Sequence, residues 1–242
     1  MSTIAIVQAR MGSTRLPGKV LSDLCGTPML RRVVDRTRRA KLLDDVVIAT
    51  TDEPQDAAIV DFCQQHDIAH FAGSHHDVLD RYYQAAKKFG ADAVVRITSD
   101  CPLIDPAVID VVIRKFRVCS WNDYVSCIVE PRAFPRGLDT EAFSFSALET
   151  AWQEAKDDAC REHVTQYFLR NPKQFEVDGV YSFTNYSSLR WTVDTPEDLQ
   201  LAETIYRHFG HDAFSWKDVL HAYDEHPEWR DINAHIEQKK VA

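Results

Sequence analysis

The sequence predicts an α/β fold: a mostly parallel sheet with helices on both faces. Three observations carry that prediction. Short β-rich runs at residues 4–7, 46–50, 70–72 and 93–97 alternate with periodic segments at 29–40, 57–65 and 78–89. Strands separated by helices of this length read as βαβ units with right-handed crossovers. The chain of 242 residues, 45% hydrophobic and 27% charged, has an ordinary globular composition and enough length for a substantial core.

Each element has its own signal. Residues 4–7 are Ile-Ala-Ile-Val, an unbroken apolar run of the kind that fills a buried strand. In the segment 29–40, Leu30, Val33, Val34 and Thr37 share one side, as a helix packed on a sheet requires. Pro106 opens a helix over 107–116, in the first turn where proline is tolerated. After residue 120 the rhythm breaks. Residues 123–129, 181–185 and 189–193 read as strands, and 146–156 and 162–170 as helices. Asp194-Thr195-Pro196-Glu197 starts a helix that runs to about His208, with acids at its positive end. Short helices near 215–222 and 231–237 close the chain. With no repeat and no Gly/Ser linker, residues 1–242 read as one domain, with an inserted α+β subdomain over 120–185 for substrate binding or dimerisation.

A net charge of −9 argues against a dedicated nucleic-acid binder. Arg31-Arg32 and the basic stretch from Arg36 to Lys41 fall on a predicted helix and read as a solvated face. Cysteines 25, 63, 101, 119, 127 and 160 contain no C-x-x-C pair, so reduced thiols are expected rather than a disulfide framework or zinc site. His66, His70, His75 and His76 lie across a strand and a loop without a supporting cysteine and read as exposed histidines, not ligands. No apolar run approaches the roughly 18 residues that span a bilayer. The expectation is a soluble cytoplasmic protein.

The strand at 4–7 runs into Gln8-Ala9-Arg10-Met11-Gly12-Ser13-Thr14-Arg15-Leu16-Pro17-Gly18-Lys19, a small-residue loop with three cations. Glycines let backbone N–H groups approach an anion, and Arg10, Arg15 and Lys19 neutralise its charge. The spacing is not a P-loop: five residues separate Gly12 from Gly18 where four are needed, and Val20 stands where a metal-binding hydroxyl belongs. The loop is a phosphate cradle of another kind.

That loop resembles the signature of sugar nucleotidyltransferases, and more narrowly the cytidylyltransferases that make CMP-activated acidic sugars, with their spore-coat polysaccharide relatives. The similarity continues through Gly73-Ser74 with Asp77-Val78-Leu79, Arg96-Ile97-Thr98-Ser99-Asp100-Cys101-Pro102, Phe134-Pro135-Arg136-Gly137-Leu138-Asp139-Thr140-Glu141, Arg161-Glu162-His163-Val164-Thr165 and Val193-Asp194-Thr195-Pro196-Glu197. It implies a Rossmann-like, GT-A-like sheet. It also implies CTP and an acidic sugar as substrates, Mg²⁺ as cofactor, and frequent homodimerisation; no nucleic acid or membrane partner is expected.

Nucleotidyl transfer needs a held triphosphate, neutralised charge and an aligned acceptor oxygen. Arg10, Arg15 and Lys19 suit the phosphates, with Gln8, Ala9, Gly12 and Ser13 of the same loop. Asp100 ends a strand and Asp194 lies at a strand-to-helix junction; two strand-end carboxylates suit Mg²⁺. Asp194 also reads as an N-cap of the helix at Pro196. By position Thr50, Asp52, Ser74, Thr98 and Ser99 flank base and ribose, although Asp52 equally begins a turn and Ser74 or Asp77 caps a helix. The family often has glycine where Ser99 stands, so close backbone approach there depends on an ordinary φ. For the acceptor, Arg136, Arg161 and His163 offer cationic or basic groups and Asp139, Glu141 and Glu162 carboxylates. His163 reads either as a general base or as a structural histidine. A glycosyltransferase is disfavoured because no D-x-D motif is present.

Overall fold

A computed structural model of the chain describes residues 1–119 and 121–238. Seven strands form one sheet in the order β3-β2-β1-β4-β6-β5-β7. They are β1 (Thr3–Gln8), β2 (Asp45–Thr51), β3 (His70–Gly73), β4 (Ala93–Thr98), β5 (Tyr124–Ser126), β6 (Glu141–Ser144) and β7 (Val177–Gly179). β1 pairs in parallel with both β2 and β4, and β2 with β3. β6 runs antiparallel to β4 and to β5, and β5 is parallel to β7. Gln8 lies opposite Ala49 and Thr98, so the carboxyl ends of the three central strands finish level. A ligand site forms above such ends.

Nine helices over these residues complete the layers: α1 (Met29–Thr37), α2 (Ala57–Gln65), α3 (Val78–Phe89), α4 (Pro106–Val118), α5 (Phe145–Glu154), α6 (Asp158–Glu162), α7 (Gln166–Arg170), α8 (Pro196–Phe209) and α9 (Trp216–Glu225). Alternation along the strands divides the core in two. Ala5, Val7, Val46, Ile48, Val95 and Ile97 face α1, α2, α4, α8 and α9. Ile4, Ile6, Val47, Ala49 and Val94 face α3, α5, α6 and α7. No described helix is long and apolar enough to cross a membrane.

The first half follows the sequence reading closely; the second departs from it for local reasons. The segment 123–129 is a strand only at Tyr124–Ser126, because Ile128 N–H turns back onto Ser126 Oγ at 2.9 Å. Residues 181–185 form no strand: pairing with β5 stops at Gly179, and Tyr181 and Phe183 project outward. Residues 189–193 make only a bridge between Arg190 and Arg136. Gly137 permits that close pass, since a Cβ at its φ of +104° would sit 2.6 Å from the Trp191 carbonyl carbon. The helix expected over 162–170 splits into α6 and α7 at Val164, whose φ is +44°. The helix expected over 231–237 is a 3-10 turn at Pro227–Asp231 followed by turns. Unforeseen β6 and β7 join the common sheet, so the segment 120–185 extends that sheet through β5, β6 and β7; Ser120 lies outside the described residues.

Candidate active site

A cleft of about 360 Å³ opens over the carboxyl ends of β1 and β4. Its walls include Gln8, Ala9, Arg10, Gly12, Ser13, Arg15, Lys19, Thr98, Ser99, Asp100 and Asp194, which the sequence placed at one site from three separate stretches.

The loop after β1 is shaped by its own hydrogen bonds. Ser13 and Gly18 N–H both donate to the Met11 carbonyl, at 2.9 and 3.2 Å. Buried Asp56 anchors the loop by accepting Met11 N–H at 2.6 Å and the Thr51 hydroxyl. Gly18, at φ +69°, reverses the chain into a 3-10 turn at Lys19–Leu21. That turn buries Lys19 while Arg10 and Arg15 stay at the surface.

The two aspartates are brought together by the backbone. The Asp100 carbonyl accepts Val193 N–H at 2.8 Å and the Thr192 hydroxyl at 3.2 Å, which sets the later segment beside the end of β4. Lys19 Nζ then lies 3.4 Å from Asp100 Oδ2 and 2.8 Å from Asp194 Oδ1, and donates to the Val193 carbonyl at 2.7 Å. Burial alone would lower the Lys19 pKa; the two carboxylates outweigh it and hold the ammonium above its ordinary value. Burial likewise works to raise Asp194, but Lys19, Arg190 and Arg15 hold it below the usual carboxylate range. Arg15 and Arg190 each approach Asp194 Oδ2 at 2.9 Å. Asp194 is not a helix cap. Thr195 caps α8, accepting Asp198 N–H, with Asp198 completing the capping box.

Arg190 is the member that sequence reasoning missed. It is buried, donates to Asp198 from Nε and Nη2 at 2.8 Å each, and reaches Asp194 with the same Nη2. Asp198 also accepts Asn233 Nδ2 at 2.8 Å and the Asp194 and Thr195 amides at 3.0 and 3.1 Å. A signal was present: Arg190, Asp194 and Asp198 stand four residues apart. Arg96 and Arg81 also line the cleft. Arg96 is bound to Gln8 Oε1 at 3.2 Å and paired with Glu141.

Ser99 is not among the described residues with positive φ, and its amide donates to the Gln8 carbonyl at 3.1 Å, so serine costs no backbone strain there. Thr50, Asp52 and Ser74 do not line the cleft. Thr50 is buried, Asp52 is exposed with its amide on the Gly73 carbonyl, and Ser74 Oγ accepts Asp77 N–H at 3.0 Å. Of the six acceptor candidates, Glu162 and His163 reach the cleft. The other four do not line it, and the side chains of Glu141, Asp139 and Arg161 are paired within the fold. Glu141 is buried and serves Arg96, the Tyr124 hydroxyl at 2.8 Å and the Thr165 hydroxyl at 2.9 Å. Asp139 pairs with buried Arg132. Arg161 binds Asp77 at 2.9 Å through Nε and the Trp152 carbonyl at 2.7 Å. The backbone of Arg136 clamps Leu189 and Trp191, at 2.9 and 2.7 Å. His66, His70, His75 and His76 form no three-ligand group among the described residues.

Two carboxylates aimed at a single positive centre, here the Lys19 ammonium, form a hard-oxygen donor set that fits Mg²⁺. Four cleft arginines, Arg10, Arg15, Arg81 and Arg96, add positive charge of the kind that a polyphosphate takes.

Comparison with known proteins agrees. The cytidylyltransferase family profile matches residues 4–228. The spore coat polysaccharide biosynthesis protein SpsF of Bacillus subtilis is 32% identical over 212 residues, covering 85% of this chain and 86% of its own. The 3-deoxy-manno-octulosonate cytidylyltransferase of Geobacter metallireducens is 33% identical over 228 residues, covering 85% and 84%. A solved cytidylyltransferase from Leptospira borgpetersenii superposes with a TM-score of 0.91 at 30% identity, covering 99% of this chain and all of that one. Fold, cleft and sequence agree along nearly the whole length: the protein belongs to the cytidylyltransferase family.

Proposed function

We propose that this protein transfers CMP from CTP to an acidic sugar, or to a related acceptor, and releases pyrophosphate. The observation that carries the reading is the convergence of Arg15, Lys19, Asp100 and Asp194 in one cleft above β1 and β4.

In this mechanism Arg10, Arg15 and Lys19 hold the triphosphate and neutralise its charge, while the loop glycines let backbone amides approach. The acceptor oxygen attacks the α-phosphorus. The new O–P bond forms as the bond to the α–β bridging oxygen breaks, the electron pair leaves with pyrophosphate, and the acceptor loses its proton. In this reading Glu162 and His163, which line the cleft, orient the acceptor and take that proton. Asp100 and Asp194 are the residues that would hold Mg²⁺, which when bound supplies additional charge neutralisation to the phosphates. Arg96 and Gln8 fix the floor between the two substrates through their mutual hydrogen bond.

CTP with Mg²⁺ is expected to raise the melting temperature more than ATP, GTP or UTP does, since a ligand bound by the folded state stabilises it. Equal shifts from all four would leave a generic phosphate site and remove the cytidylyl assignment. Six free cysteines accord with a reducing, cytoplasmic setting. Homodimerisation through the 120–185 segment belongs to the same reading, supported by its exposed Trp121, Tyr181 and Phe183. A monomer by sedimentation would exclude it.

A further inference from the structure

Outside the cleft lining, the last turn of α8 meets the end of α9. His208 comes from the first, Glu225 from the second, and His226 is the residue that terminates α9. One potential ligand atom from each lies within 4.8 Å of the other two, the only such group of three among the described residues. We propose that His208, Glu225 and His226 bind a borderline transition-metal dication, Zn²⁺ in the first instance.

Four features support a built site rather than a chance meeting. The ligand set is chemically suited: two imidazoles and a carboxylate are the donors that Zn²⁺ takes, leaving a fourth position for water. Two ligands about 2.1 Å from a tetrahedral ion stand roughly 3.4 Å apart, so donors within reach of one another here close on an ion by side-chain rotation. The rings are already held. His226 stacks on Trp229 with centroids 4.8 Å apart and planes 6° from parallel, while His208 meets the same Trp229 edge-on at 5.3 Å. Packing that fixes both imidazoles lowers the ordering cost of closing the site.

The third feature is an outer carboxylate. Glu228 Oε1 lies 3.2 Å from His226 Nδ1, and a carboxylate accepting from Nδ1 leaves Nε2 with the lone pair that a metal takes. The fourth is the field. Two helix C-termini, with their negative partial charge, converge on this point, which favours a cation. The donors differ in kind from the oxygen pair at Asp100 and Asp194, so the two sites select different ions.

The test uses tag-free full-length protein. Zn²⁺ is titrated calorimetrically into the wild type and into His208→Gln, His226→Gln and Glu225→Gln, with circular dichroism melts to establish folding. One equivalent is expected to bind the wild type and raise its melting temperature. It should disappear in either histidine variant, weaken about tenfold or more in Glu225→Gln, and survive a large excess of Mg²⁺. His208 and Glu225 are both exposed, so neither substitution is expected to unfold the chain. The same equivalent with unchanged affinity in His208→Gln would overturn the proposal. So would a thiolate charge-transfer band in the Co²⁺-loaded wild type, which would assign the ion to a cysteine. None of these readouts depends on nucleotide turnover, so the site stands or falls separately from the proposed activity.

Discussion

Arg190 forks onto Asp198, placing Nε and Nη2 each 2.8 Å from a carboxylate oxygen, and Asp198 has no solvent exposure at its side chain. The pair holds Asp194 from behind, because Arg190 Nη2 also contacts Asp194 and Asp198 accepts the Asp194 amide. Removing Arg190 leaves a buried carboxylate facing only neutral donors. Arg190→Ala is expected to cost about 3–5 kcal/mol of stability in denaturant melts. Arg190→Lys keeps one charge but cannot make the bidentate contact, and should recover only part of that loss.

The assignment of the α8 cap separates structure from chemistry at adjacent positions. Thr195→Ala removes the capping hydroxyl and should cost about 1 kcal/mol while leaving pyrophosphate release within a fewfold of wild type. Asp194→Asn keeps the side-chain size and leaves the cap intact, yet is expected to lower turnover about 100-fold or more. If Asp194→Asn kept most of its activity at ordinary Mg²⁺ concentrations, the two-aspartate site would be wrong.

Lys19 and Arg15 should respond differently although both touch Asp194. Lys19 is buried between Asp100 and Asp194, so Lys19→Ala is expected to lose about 1–3 kcal/mol as well as triphosphate affinity. The Arg15 side chain is 38% exposed, and its ion pair is worth about 0–1 kcal/mol. Arg15→Ala should therefore raise the KM for the triphosphate with little change in melting temperature.

The pH dependence of stability has a definite sign. Asp194 is depressed below its ordinary 3.8, so its contribution is fully present above that value and is lost as the pH falls through the lower folded value. Lys19 is raised above its ordinary 10.5, so its contribution holds below that value and is lost only as the pH climbs past it. From these two groups a plateau is expected across the neutral range. Asp194→Asn should flatten the acid limb of unfolding free energy measured from pH 2 to 6; an unchanged limb would place the acid sensitivity elsewhere.

The parts of the fold that were legible in the sequence are those whose signal is local. β1 to β4 and α1 to α4 announce themselves by uniform apolar runs and helical periodicity, and α2 and α3 fall at the residues expected. β6 was hidden because Glu141, a charged residue, occupies a core position made tolerable by Arg96 from another strand. The helix expected across 162–170 breaks at Val164, a β-branched residue that gives no sequence warning of a positive φ. At the site, the meeting of the loop after β1 with both aspartates could be read because their types and contexts are distinctive. The internal pairing of three acceptor candidates could not. Arg161, Asp139 and Glu141 have suitable charges, but each finds a partner inside the protein, and such pairing depends on tertiary neighbours rather than on spacing.

The two hydrogen bonds from the Asp100 carbonyl to Thr192 and Val193 have a consequence for synthesis of the chain. The parallel strands β1 to β4 all lie within the first 98 residues, yet Asp194 joins Asp100 from nearly a hundred residues further on. The same late stretch supplies α8 and α9, which cover one face of the early strands, so the second carboxylate and the last layer of that core arrive together. Without that stretch Lys19 keeps only its longer contact with Asp100, at 3.4 Å, and lacks the partner it meets at 2.8 Å. The cleft is therefore completed only by a segment that lies far along the chain from the strands that carry it.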